Sequence, residues 1–238
     1  MKRTLLLALA VAGSAQAQWQ ESSYANIGGW QPVHSWCDTP GRVLAVTLPA
    51  GASGPVKLAQ WVGGQRSVQN WQLGLPDPGA GQIYTPLTPA GQTPSQTPRY
   101  FIHSSNIENT TDPAYRMTHI NEYVVSAGRF QCRYVPQATV LAATARHTVI
   151  VWESGGKVTY ASRNRDGTPG IQLTGGTHTR VSGREHYVWN NAGYQYVLEV
   201  GQSAGPGGSL SVQKGGKTLS REELLAYSIS TASISVQK

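Results

Sequence analysis

Residues 186–200 read HYVWNNAGYQYVLEV, and this stretch decides the fold class. From residue 194 to residue 200 every second side chain is apolar or aromatic, which is the period of a strand with one buried face. Residues 190–193, NNAG, have the composition of a tight turn. The stretch therefore predicts an antiparallel hairpin.

Short strand-like segments continue on both sides of this hairpin and are separated by glycine-rich turns every 8–12 residues. This spacing is typical of an antiparallel meander, sandwich or small barrel. We predict an all-β, mainly antiparallel protein with a small barrel or sandwich at residues 135–238. The further strands expected there are 148–152, 157–160, 170–174, 177–181, 210–213 and 217–219.

One helix signal interrupts this pattern. Ser220 is followed three residues later by Glu223, and Leu224 and Leu225 come next. A serine and a glutamate at this spacing form a capping box, in which each side chain accepts from the other residue's backbone N–H. The motif predicts one or two helical turns.

Residues 18–134 are less regular. Seven of the fourteen prolines lie in residues 76–113, and proline lacks the backbone donor that a central strand needs. This stretch is therefore predicted to be a surface excursion. Short strands are expected around it at 42–48, 56–58, 100–103 and 122–125. The sequence thus predicts an irregular β region packed on the regular one.

The N-terminus has the three parts of a cleavable export signal. Lys2 and Arg3 precede an apolar run at residues 5–12, and residues 15–17 read AQA. The alternative is a membrane anchor, but the run is far shorter than the ~20 residues that span a bilayer. We expect cleavage after residue 17, no membrane span, and a secreted or periplasmic protein.

Cys37 and Cys132 are the only cysteines. In an oxidising compartment an even pair most simply forms one disulfide, and two separate buried thiols are the alternative. The two positions are 95 residues apart. A bridge over such a loop removes chain entropy worth about 4.5 kcal/mol.

Positive charge is concentrated in the second half of the chain. Residues 129–238 contain twelve basic and six acidic residues, whereas residues 18–128 contain five and six. An exported protein of this kind can bind an anionic glycan or an acidic protein, and solubility alone is the simpler explanation. Nucleic acid is not expected as a partner.

Arginines and aromatic residues occur together on the C-terminal strands. Aromatic faces flanked by arginine can bind a sugar, a base or a protein partner. The alternative is that the aromatic side chains form the barrel core. The residues predicted to bind are Arg163, Arg165, Arg180, Arg184, Tyr187, Trp189 and Asn191.

No catalytic set is predicted. Residues 201–205 match G-x-S-x-G around Ser203, but a nucleophile elbow needs a strand followed by a helix, and here two strands are expected. The histidines lack metal-ligand spacing, so neither a metal nor a cofactor is expected. We expect a non-enzymatic binding protein of the cell envelope, such as an inhibitor or a ligand-binding module. A cell-envelope hydrolase assembled from separate loops and a structural envelope protein are the alternatives.

Residues 130–201 resemble the MliC family of bacterial C-type lysozyme inhibitors, which are small exported β-barrels. The similarity rests on Cys132 in a strand, on residues 181–183 (VSG) before the aromatic strand, and on residues 189–193 (WNNAG). The resemblance implies a barrel fold. Asn190 and Asn191 stand near the place of the family's inhibitory lysine, and the cysteine that closes the family's usual bridge has no counterpart.

Overall fold

The computed structural model describes residues 18–105 and 116–233. The predicted export signal at residues 1–17 lies outside the described residues. Eighteen strands and no helix occur in the described part of the chain, which confirms the all-β prediction. Within those same ranges, no helix has the length and apolarity that crossing a membrane requires.

The C-terminal strands form a closed antiparallel barrel. Each strand pairs with the next one along the chain. The first and last strands then pair with each other and close the ring, with Val140 opposite Ile229. The strands are β11 (Val140–Thr144), β12 (His147–Ser154), β13 (Lys157–Asn164), β14 (Pro169–Val181), β15 (Arg184–Asn191), β16 (Tyr194–Gly201), β17 (Gly208–Lys214) and β18 (Lys217–Ser233).

The predicted helix at Ser220 is wrong, because this segment is the first part of β18. Ser220 pairs with Val212 and Glu223 with Ser209. Leu224 is fully buried in the barrel core. The capping box is a local preference, and the pairing and burial that the barrel offers outweigh it. The expected β-barrel itself is confirmed.

The N-terminal strands form a second sheet outside the ring. Its strand order is β2-β3-β4-β5-β7-β8-β9-β10, with β6 beside β7, and β1 joins it to the barrel by pairing with both β2 and β18. The strands are β1 (Gln18–Asn26), β2 (Trp30–Thr39), β3 (Arg42–Thr47), β4 (Gly54–Val62), β5 (Gln65–Leu73), β6 (Asp77–Pro78), β7 (Gln82–Pro89), β8 (Tyr100–Ser105), β9 (Ile120–Val125) and β10 (Gly128–Gln131).

Within residues 76–105 the structure differs from the prediction of a surface excursion, and the rest of the predicted stretch, residues 106–113, lies outside the described residues. β7 lies inside this proline-rich stretch, between β5 and β8, and its Leu87 is buried. Pro86 is tolerated because its carbonyl accepts from the backbone N–H of Gly74 at 2.9 Å. The nitrogen and carbonyl of one strand residue face the same neighbour, so the proline removes no hydrogen bond to β8.

The predicted disulfide is confirmed. Cys37 in β2 is bonded to Cys132, which follows β10, and their Cα atoms are 5.0 Å apart. The backbone N–H of Arg133 donates to the carbonyl of Asp38 at 2.8 Å. The two ends of the N-terminal sheet are therefore held together beside the barrel. The division of the chain at residue 134 stays a prediction.

Candidate functional site

The barrel lumen is filled with aromatic side chains. Tyr160, Trp189 and Tyr227 are almost completely buried, and the Tyr160 and Trp189 ring centroids are 5.1 Å apart. Such a barrel has a packed core and leaves recognition to its rim and outer surface. A functional site is therefore expected where polar side chains meet the ends of the strands.

Two of the predicted binding residues belong to this core. Tyr187 is 1% exposed and Trp189 is 0% exposed, so neither ring is available for stacking with a ligand. Glu185, Tyr187 and Trp189 are two residues apart on β15, which places all three on the inner face. Both aromatic residues are thus core residues, and the prediction that their rings form part of the binding surface is wrong.

The four predicted arginines do not form one surface. Successive hairpins of an up-and-down barrel lie at opposite ends. Arg163 and Arg165, beside the β13–β14 hairpin, and Asn191, beside the β15–β16 hairpin, are therefore at one end. Arg180 and Arg184 flank the β14–β15 hairpin at the other end. The predicted single arginine surface is thus also corrected.

Two of these arginines have structural partners. Arg165 Nη1 lies 2.9 Å from Asp38 Oδ1, and Asp38 is fully buried. Arg184 donates to the carbonyl oxygens of Gly205 at 3.2 Å and Gly207 at 3.0 Å. Arg163 and Asn191 are exposed. Of the predicted residues, Arg180 and Tyr187 contact the polar cluster described below, Arg180 at the rim and Tyr187 from the core.

A notch opens in the barrel wall where β13 and β14 stop pairing. β14 pairs with β13 as far as Gly176 and with β15 from Thr177 onward. Gly176 makes this change possible, because a side chain there would overlap the Trp189 indole. The notch has a volume of about 600 Å³ and lies between Glu153 and residues 154–158 on one side and residues 176–178 on the other.

His178 is held in the notch between two carboxylates. Its Nδ1 lies 3.2 Å from Glu153 Oε2, and its Nε2 lies 2.8 Å from Glu185 Oε2. The ring stacks on Tyr187 with centroids 4.2 Å apart. The hydrogen bond to Glu153 raises the pKa of His178 above its usual range, against partial desolvation, and Glu185 adds to the rise.

The neighbouring groups keep complementary protonation states. Partial burial alone would raise the pKa of Glu153, but the hydrogen bond from His178, the Tyr187 hydroxyl at 2.9 Å and the charge of Arg116 together lower that pKa. Burial raises the pKa of the Tyr187 hydroxyl, so this group is a neutral donor. Glu153 is therefore an anion and His178 favours its cationic form.

Glu185 anchors the inner side of the notch. It is 4% exposed, and the Gln202 side-chain amide donates to its Oε1 at 2.8 Å. Arg180 Nε lies 3.5 Å from the same oxygen, while its side chain remains 59% exposed. Buried Glu185 thus neutralises part of the charge of His178 and positions Arg180 at the rim.

The lining of the notch has an excess of positive charge. Arg116, Lys157 and His178 carry basic groups, and Glu153 is the one carboxylate among the residues that line the notch. Glu185 lies behind His178 and Arg180 lies at the rim, so four basic groups stand against two carboxylates. Arg116 is held in place because its guanidinium lies 3.9 Å from the centroid of the Trp19 ring and donates to Thr139 Oγ1 at 2.9 Å. An acidic ligand group fits this charge pattern.

The sequence analysis missed Glu153, His178, Glu185 and Arg116. A signal for two of them was present: the period of two that places Trp189 and Tyr187 inside also places Glu185 inside. A turn at Ser182 and Gly183 then brings His178 opposite Tyr187. A charged residue at an inward position near a strand end indicates a polar rim.

Comparison of the chain with protein-family models, with curated proteins and with solved structures finds no match. In residues 18–105 and 116–233, no group of three or more histidine, cysteine, aspartate or glutamate side chains is placed to hold a metal ion.

Proposed function

We propose that this protein is an exported, non-enzymatic binding protein that recognises an acidic group of a glycan or protein partner at the notch. The observation that supports the proposal best is the excess of basic groups in an open groove, where Arg116, Lys157, His178 and Arg180 stand against Glu153 and Glu185. The filled barrel behind the groove is a rigid support, which reduces the entropy cost of ordering the binding groups.

Export is supported by two features. The disulfide between Cys37 and Cys132 is compatible with an oxidising compartment. Residues 1–17 have the pattern of a cleavable signal. The proposed place of action is therefore the periplasm or the cell exterior, where cell-envelope glycans carry carboxylate groups.

Binding is favoured over hydrolysis by the state of His178. A general base needs an imidazole nitrogen with a free lone pair within reach of the substrate. Both nitrogens of His178 face carboxylates, at 3.2 Å and 2.8 Å, and this arrangement favours the imidazolium with two N–H donors. Such a group positions and attracts an anion but does not abstract a proton.

The resemblance to the MliC family adds support for a protein-binding barrel and not for a particular target. The family's inhibitory lysine has no counterpart in residues 189–193. Inhibition of lysozyme is therefore not part of the proposal. Lys157, on the β12–β13 hairpin, is the residue that we propose contacts the acidic group of the partner.

A matched pair of probes tests the proposal. Oligogalacturonate carries a carboxylate on each sugar, and a maltooligosaccharide of equal length is neutral. Isothermal titration calorimetry should show binding of oligogalacturonate that weakens as salt rises, because partly exposed charges are screened over about 8 Å at 0.15 M ionic strength. Equal affinity for both probes at low and high salt would rule out recognition of an acidic group.

A further inference from the structure

A second cavity lies between the barrel and the N-terminal sheet, and it shares no lining residue with the notch. Its volume is about 170 Å³. We call it the inter-sheet cleft. Its walls come from β1, β2, β11 and β18 and from residues 117–120 and 132–135, so it lies beside the Cys37–Cys132 bridge. Ligand sites are common in clefts between packed units of this kind.

One wall of the inter-sheet cleft is apolar. Val33, Trp36, Met117 and Val135 line it, and each is about 5% exposed. The indole N–H of Trp36 already donates to Ser228 Oγ at 2.8 Å. Because the polar atom of Trp36 is engaged, the rest of this side chain offers a hydrocarbon surface.

Glu21 also lines the cleft, and its carboxylate is held by neutral donors. Glu21 Oε2 accepts from the backbone N–H of Thr118 at 2.7 Å, and Glu21 Oε1 accepts from Ser23 Oγ at 3.1 Å. Throughout residues 18–105 and 116–233, no ion pair includes Glu21. These neutral donors fix the carboxylate without cancelling its charge.

The other acidic side chain of the cleft is already neutralised. Asp38 Oδ1 lies 2.9 Å from Arg165 Nη1, and Asp38 Oδ2 lies 3.5 Å from Arg133 Nη1. The Thr148 hydroxyl also donates to Asp38 Oδ2 at 2.6 Å. The charge left without a counter-ion is therefore that of Glu21, at a cavity with an apolar wall.

We infer that the inter-sheet cleft binds a small organic cation, a primary amine that carries a short apolar group. The ammonium would pair with Glu21, and the apolar group would contact Val33, Trp36 and Met117. An apolar cavity of about 150 Å³ is large enough for benzene, so a volume of about 170 Å³ suits a single ring. The charge of the ligand proposed for this site is opposite to that of the ligand proposed for the notch.

Three probes of one shape test the inference: benzylamine, which is a cation, benzyl alcohol, which is neutral, and benzoate, which is an anion. Binding to the disulfide-bonded chain 18–238 is measured by isothermal titration calorimetry at low salt. Benzylamine should bind at least about tenfold more tightly than benzoate, a difference of about 1.4 kcal/mol. Glu21→Gln should remove that preference and leave the affinity for benzyl alcohol unchanged.

The matched control is Glu223→Gln, because Glu223 is a 66% exposed carboxylate on β18 that pairs with Arg221. This variant should bind benzylamine as the parent chain does. The inference is overturned if benzylamine shows no binding at about 10 mM, or if Glu21→Gln binds it unchanged. If Glu21→Gln fails to fold, the comparison of benzylamine with benzoate on the parent chain tests the inference alone. Equal affinity for the two probes contradicts a cation site.

Discussion

Glu153 and His178 stand on β12 and β14, which do not pair with each other, and their side chains lie 3.2 Å apart across the notch. This contact connects the two sides of the barrel wall where β13 and β14 have separated. The mouth of the barrel is therefore held together by side chains, because backbone pairing between β13 and β14 has ended there.

The first prediction concerns pH. The ordinary pKa of histidine is 6.5, and that of His178 is raised. A raised folded-state pKa gives a stabilising contribution that is complete below the unfolded value and is lost as pH rises through the folded value. The parent chain should thus lose stability relative to His178→Gln as pH rises from about 6 through neutral pH.

Urea unfolding of both chains over this pH range measures the effect. His186→Gln is the matched control, because His186 lies 3.6 Å from Glu199 and is similarly exposed. The stability of His186→Gln relative to the parent chain gives the baseline for removing a histidine that faces one carboxylate. The proposed state of His178 would be contradicted if the stability of the parent chain relative to His178→Gln stayed constant with pH. It would also be contradicted if this relative stability increased as pH rises.

The second prediction concerns Gly176, which packs against Trp189. Gly176→Ala places a Cβ on the indole and forces the core to move, and overpacking of this kind costs about 1–3 kcal/mol. Gly205→Ala is the control, because nothing lies within 4 Å of a Cβ at that position. Thermal unfolding should show a clear loss for Gly176→Ala and little change for Gly205→Ala. Equal stability of the two variants would show that Gly176 is not needed at the notch.

The third prediction concerns the buried charge that joins the two sheets. Asp38 is fully buried and neutralises Arg165, so Asp38→Ala leaves a partly buried guanidinium unpaired. Loss of one partner from a buried pair costs about 3–5 kcal/mol. The exposed Arg221–Glu223 pair is the comparison, and Arg221→Ala should cost less than about 1 kcal/mol. Chemical denaturation checks both values, and similar losses in the two variants would contradict the role given to Asp38.

The fourth prediction concerns the disulfide. The bridge closes a separation of 95 residues, and the chain-entropy argument gives a loss of about 4.5 kcal/mol when it is absent. The double variant Cys37→Ser with Cys132→Ser should therefore unfold at a markedly lower urea concentration. Addition of a reductant should destabilise the parent chain and leave the double variant unchanged. A reductant effect of equal size on both proteins would mean that the bridge is not its cause.

The barrel could be predicted from sequence because its turns are local. Glycine-rich pairs such as Gly155 and Gly156 set the hairpins, and alternation such as that of residues 194–200 sets the buried face. Ser220 and Glu223 led to a wrong prediction because a capping motif carries no information about the neighbouring strand, β17, with which this segment pairs. Pro86 misled it because the cost of a proline depends on which neighbour its nitrogen faces.

The site was harder to predict for a different reason. Alternation shows that Tyr187 faces one side of β15, but it does not say whether that side is core or surface. The arginines were predicted to form one group because they are near in sequence. Successive hairpins lie at opposite ends of the barrel, however, and this places Arg165 and Arg180 at opposite ends. The notch depends on the three-dimensional path of β14 past Gly176, which no local pattern records.

The most direct test of the central claim reverses one charge at the notch. Lys157→Glu is compared with Lys217→Glu, an exposed lysine on the β17–β18 hairpin at the other end of the barrel. Both variants change the net charge equally, so a non-specific effect would be shared. Calorimetric titration with oligogalacturonate should show an affinity at least about tenfold lower for Lys157→Glu, or about 1.4 kcal/mol, and near-parent affinity for Lys217→Glu. Equal losses in the two variants would contradict a binding site at the notch.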